Sequence, residues 1–261
     1  FFRKDCNLVN EFKQAGFHYI NNYKGLSTLP KNKPVLGLFA DKGLPWALDD
    51  TNKHRLSSMT KAGIHHLVDL QASDNSADKG FFMLIEGSQI DWAGHGNDIS
   101  DAMAETDDLA KTLEYLEHFV SHHPDTLVIV TADHSTGGFT LAANGKYEWN
   151  AKDLRTMKHS INYIAKQLDA DEITTKSATS LFNFELTKEE ITLHNESKNN
   201  AKENKNKNIY QNKKMSVSEL ALVKSVKAIM DKRSNSGWTS GGHTAIDVPV
   251  FAFGKQSEVF N

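Results

Sequence analysis

Six side chains with metal-binding chemistry fall in three short stretches. IEGSQIDWAGHGNDI (Ile85–Ile99) holds Glu86, Asp91 and His95; ADHSTGG (Ala132–Gly138) holds Asp133 and His134; WTSGGHTAIDVPVFAFG (Trp238–Gly254) holds His243. Charge beside apolar segments costs free energy unless it is solvated, paired or bound to a cation. Asp91 and His95 are four apart, so a helical turn stacks them on one face. A turn at a strand end splays the adjacent Asp133 and His134 toward a common centre. Carboxylate and imidazole without thiolate suit Zn2+, Mn2+ or Mg2+. The set exceeds one tetrahedral site and favours two metals or more; a close metal pair serves phosphate-ester chemistry by stabilising attacking and leaving oxygens together. Each motif alone is weak. D-x-x-x-H is common, an Asp-His after a strand is usually a solvated turn, and Gly137-Gly138 fits a tight turn. Joint placement at the ends of apolar segments carries the reading. His65, His66, His118, His122 and His123 fall on helix surfaces or ends and receive no function, and Cys6 reads as a small buried hydrophobe.

The positioning elements follow from pattern. VLGLF (Val35–Phe39), FFMLI (Phe81–Ile85), TLVIVT (Thr126–Thr131) and VPVFAF (Val248–Phe253) are continuous apolar runs, expected of strands covered on both faces. Helical spacing separates them, in Leu8, Val9 and Phe12, in Leu56 to Val68, and in Met103 to Val120 with Asp101 as expected N-cap. Strand–helix–strand alternation predicts an α/β fold: a three-layer sandwich with a mostly parallel central sheet flanked by helices. Glu86 and Asp133 then lie beyond carboxyl ends of strands, where such sheets collect ligands.

Between Tyr147 and Gly237 the rhythm breaks. One amphipathic helix is expected over Leu154 to Leu168, a second from the Thr187/Glu190 capping box, and a third after the Ser216/Glu219 box. The Asn- and Lys-rich stretch Glu196–Lys214 reads as a mobile surface loop. Residues 1–146 and 238–261 are thus expected to form a partial α/β core, and 147–237 an inserted helical and loop section.

Bulk properties exclude much. The 261 residues carry a net charge of −3, with Lys+Arg nearly balancing Asp+Glu, and give no nucleic-acid footprint. One cysteine rules out a disulfide framework and a cysteine metal site. No apolar run approaches a membrane span. The opening FFRKDCNLVNEFKQAGF reads as the middle of a fold, so the chain is expected to be a fragment or a processed product.

Together GFFMLIEGSQIDWAGHGNDI, TLVIVTADHSTGG and GGHTAIDVPVFAFG resemble the alkaline phosphatases, especially the bacterial branch, in order and spacing. The inserted section resembles that family's variable crown only loosely. The resemblance implies two zinc ions and one magnesium. Asp91, His95 and His243 would bind the first zinc, Asp133 and His134 would form part of the second zinc site, and Glu86 would bind magnesium. It implies hydrolysis of small phosphate monoesters through a phosphoserine intermediate, export to the periplasm or outside the cell, and a homodimer as a common state. Trp92 stands where relatives carry a lysine or histidine that positions phosphate, and it reads equally as a phosphate-pocket or a packing residue.

The family's nucleophilic serine has no counterpart in this sequence. Nor have its phosphate-clamping arginine, an aspartate shared between metals and a further magnesium ligand. Asp133 and His134 alone are too few for tight zinc binding, so the chain by itself is expected to have little or no phosphatase activity. Two alternatives stay open: another phosphoester hydrolase or mutase of the same superfamily, and a non-catalytic zinc- or phosphate-binding relative.

Overall fold

The computed structural model describes residues 7–73, 80–203 and 215–260. Cys6 and positions 204–214 of the expected loop lie outside them. Helix α1 (Leu8–Gln14) starts on Asn7, whose side chain accepts from the Asn10 amide. Strands β1 (His18–Ile20) and β2 (Val35–Gly37) pair in parallel. Helices α2 (Arg55–Ser73), α3 (Gln89–Gly96) and α4 (Ile99–His122) follow, with α2 and α3 both packed on α4. The N-cap of α4 is Asp98, not Asp101: its carboxylate accepts from the Asp101 amide at 3.1 Å, and Asp101 sits in the first turn. An N-cap must stand outside the helix, and the left-handed Asn97 that ends α3 fixes that place at residue 98.

Strand β3 (Leu127–Thr131) pairs antiparallel with β8 (Val250–Gly254), Ile129 opposite Ala252. The fold is mixed α/β, but among the described residues its ladders are four two-stranded pairs, only one of them parallel. FFMLI carries no ladder there. Met83 and Ile85 pack onto the small core of Ile64, Leu116 and Phe119, whereas Phe82 is 88 % and Leu84 81 % exposed. The run therefore has one covered face, against the expected two.

The section after Tyr147 is helical: α5 (Lys152–Thr156), α6 (Ile161–Ala170), α7 (Thr175–Phe182), α8 (Lys188–Glu203) and α9 (Val217–Ser234). The single helix expected over Leu154 to Leu168 is two, because Ser160 caps a fresh start by accepting from the Tyr163 amide at 3.0 Å. Thr187 and Glu190 form the expected reciprocal box. Helix α8 then runs on to Glu203, into the stretch expected to be loop. Lys198 anchors it by donating to the carbonyls of Leu168 and Asp171 at 2.6 and 2.8 Å. Phe182, Ile164, Leu168, Leu222 and Val226 form the larger core, joined by Ile99 of α4. Each such side chain contributes about 1.5–3 kcal/mol by burial.

A polar knot ties α2 to α4. Arg55, 3 % exposed, donates to Glu105 at 2.7 Å and lies 3.6 Å from Asp108 and 3.9 Å from Asp50. Removing one partner of such a buried set costs about 3–5 kcal/mol.

Candidate metal centre

Two short ladders and one helix bring the distant motifs together. Strands β4 (Ser135–Thr136) and β5 (Phe139–Thr140) pair antiparallel with β7 (His243–Thr244) and β6 (Gly237–Trp238), respectively. The register sets Thr136 opposite His243. Helix α3 lies against β4, and Gly94 permits the approach: a Cβ there would meet the Thr136 carbonyl at 3.2 Å. Gly137, at φ +83°, turns the chain where a Cβ would fall 2.7 Å from the Gly94 carbonyl.

Asp91 lies in the first turn of α3 and His95 in its last, four residues on and on one face. Ligand atoms of Asp91, His95 and His243 all lie within 4.8 Å of one another. The His134 and His243 rings stack with centroids 3.5 Å apart. Asp133 Oδ2 stands 3.3 Å from His134 Nε2. The structure thus gathers Asp91, His95 and His243, with His134 and Asp133 beside them. Glu86 is not in the three-residue group. It is exposed and lines a cavity of about 260 Å³ with Arg55, Gln89, Glu105, Asp108 and Trp92. The Trp92 ring covers Gly43 so closely that a Cβ there would lie 2.3 Å from it, yet the residue stays 47 % exposed.

Hydrogen bonding fixes what the ligand atoms offer. His95 Nδ1 lies 2.7 Å from the Gly241 carbonyl, an acceptor only, so Nδ1 carries the proton. Its Nε2 then presents a lone pair 3.5 Å from Asp91 Oδ2. In the neutral tautomer these two acceptors could hold a cation between them, and an imidazole whose other nitrogen is tied to a carbonyl is the usual state of a metal ligand.

Beneath α3 the charges are deeply buried. Lys227 of α9 donates to the Gly96 carbonyl at the C-terminal end of α3, where positive charge is favoured. Burial pushes Lys227 down and Asp98 up, each from its ordinary value. Asp101 is pushed up to about 10 by burial and then by the neighbouring Asp98 carboxylate. Sequence reasoning missed Lys227, the Gly241 carbonyl and Thr136. Only Thr136 left a signal, a hydroxyl two residues after His134.

The Alkaline phosphatase family model matches residues 2–261. The chain is 39 % identical over 264 residues to Alkaline phosphatase 3 of Bacillus subtilis, spanning all of this chain and 52 % of that protein. It is 40 % identical over 261 residues to Alkaline phosphatase 4 of the same organism, again spanning all of this chain and 51 % of the relative. A solved cold-active alkaline phosphatase from a psychrophilic Shewanella superposes with a TM-score of 0.83 at 35 % identity, covering 97 % of this chain and 57 % of that one. The chain thus spans about half the length of the relatives it matches.

Proposed function

The chain belongs to the alkaline phosphatase family, and from that premise we propose that the whole protein hydrolyses small phosphate monoesters through a phosphoserine intermediate. Asp91, His95 and His243 hold one zinc, Asp133 and His134 contribute to a second, and Glu86 is assigned to magnesium on the family likeness. The observation that carries the reading is the approach of the first three residues' ligand atoms to within 4.8 Å.

The donor set fits zinc: imidazole nitrogens and carboxylate oxygens, with His95 locked in the tautomer that frees Nε2. When bound, the metals supply Lewis acidity toward the phosphoryl group. This chain's residues hold and orient. Gly241 aims His95, the β4–β7 ladder carries His243 to α3, and Lys227 fixes the end of α3. Trp92, exposed at the mouth of the cavity beside Glu86, offers an aromatic wall to a substrate.

The serine nucleophile lies in the half of the relatives' length that this chain does not span. The same half completes a mostly parallel central sheet over Phe82, Leu84, Ile129 and Phe251, all exposed here. Within this division residues 147–237 act as a crown-like insertion. Export to the periplasm or beyond and a homodimeric state follow from the family; among the described residues no helix is long and apolar enough to cross a membrane.

The test compares the full-length protein with the 261-residue chain, both supplied with zinc and magnesium, by phosphate release from a monoester and a diester. Turnover of the monoester by the full-length protein alone is expected. Preference for the diester selects a phosphodiesterase. Bound zinc without turnover of either selects a non-catalytic relative.

A further inference from the structure

We infer that Thr136 is a positioning residue whose single hydroxyl couples the two zinc-ligand clusters; the inference rests on the metal-site reading above and deepens it. Thr136 Oγ1 lies 2.6 Å from Asp91 Oδ1 and 3.2 Å from His134 Nδ1. Asp91 is assigned to one metal and His134 to the other.

Proton counting fixes the direction of both contacts. An ionised carboxylate only accepts, and at 2.6 Å the hydroxyl must donate to it. A threonine hydroxyl has one hydrogen, so nothing remains to give His134. The second contact therefore runs the other way, His134 Nδ1–H donating to a lone pair of Oγ1. The result is a directed chain, His134 Nδ1–H to Thr136 Oγ1–H to Asp91 Oδ1.

Each end of that chain prepares a ligand. Occupying Asp91 Oδ1 leaves Oδ2, the oxygen 3.5 Å from His95 Nε2, for the first cation. Occupying His134 Nδ1 sets the tautomer with a free lone pair on Nε2, 3.3 Å from Asp133 Oδ2, for the second. The side chain is held in place from two sides: β4 is paired with β7, and the Thr136 Cβ would stand 3.1 Å from a Cβ on Gly94 of α3. Losing the hydroxyl should therefore loosen both metals at once.

The test replaces Thr136 in the full-length protein with valine, which keeps the shape without the hydroxyl, and with serine, which keeps the hydroxyl. Zinc affinity is read by competition with a chromophoric chelator, and ligand geometry by the visible spectrum of the cobalt-substituted protein. Thr136→Val is expected to weaken both zinc sites together by about 10–100-fold and to change the cobalt spectrum. Thr136→Ser, which also guards against a folding defect in the valine variant, should restore both readouts. Parent-like zinc affinity in Thr136→Val, or loss at one site only, overturns the coupling. When Thr136→Val keeps parent-like affinity while His243→Ala loses zinc, the metal reading stands and this one falls. If the parent itself binds no zinc, both fall.

Discussion

His95 directs Nδ1 at the carbonyl of Gly241, 2.7 Å away, so a residue of α3 is oriented by the loop that leads into β7 and His243. Its remaining nitrogen is committed to the site, and no neighbouring side chain duplicates it in the three-residue group. Replacing His95 by alanine in the full-length protein should remove one zinc per chain, measured by atomic emission. The same variant should lose at least about 100-fold in kcat/KM, roughly 2.7 kcal/mol of transition-state stabilisation. Retained zinc with retained turnover would count against the assignment.

His194 predicts an acid limit to stability. It is 0 % exposed, with Nδ1 2.8 Å from the Ser225 hydroxyl and Nε2 without a partner. Burial pushes its imidazole down to about 4, only partly offset by Glu190. The unfolded chain takes up a proton near the usual 6.5, where the folded one does not. This stability is full above pH 6.5 and drains as the pH falls toward 4, by about 3 kcal/mol at most. His194→Leu should flatten that slope, since the Ser225 hydroxyl still donates to the Leu222 carbonyl. Urea midpoints at pH 7 and pH 4.5 measure the difference.

Asp101 predicts the opposite trend at high pH. It is 1 % exposed, and neither carboxyl oxygen has a donor. With its pKa pushed up to about 10 from an ordinary 3.8, the folded state keeps a proton that the unfolded state releases. The charged groups facing it are Asp98, Asp49, Glu105 and Lys227. Its contribution is full below pH 3.8 and is lost as the pH rises toward 10. Asp101→Asn, which has no proton to release, should gain at least about 1 kcal/mol over the parent at pH 9. Thermal unfolding at pH 5 and pH 9 should show a smaller gap between the two conditions than in the parent.

Of the expected ligands, Asp91 and His95 were legible as neighbours because a four-residue step on one helix needs no tertiary information, whereas the approach of His243 to them needed the β4–β7 ladder, and Glu86 lies outside the group. Architecture was less so. Unbroken apolar runs fit strands of either direction, so β3 and β8 gave no hint of antiparallel pairing. FFMLI has the composition of a strand buried on both faces, yet among the described residues it carries no ladder and has only one covered face. At the joint between α3 and α4 the sequence pointed to Asp101 as the cap, and the left-handed turn at Asn97 places it at Asp98 instead. Arg55 and Asp101 were illegible for a different reason: charge says nothing of burial until α2 and α4 are packed.

The ladder that sets Thr136 opposite His243 also sets a clock. During synthesis Asp91 and His95 leave the ribosome long before β7, and the intervening segment must be closed into a large loop before the third ligand arrives. Non-local closure of this kind is slow and comes late in folding. A three-residue site of this kind would then be completed after most of the chain has folded, not before. On the metal-site reading, a cation would be loaded into a nearly finished molecule, and its choice among competing ions would be made by a formed site instead of a flexible chain.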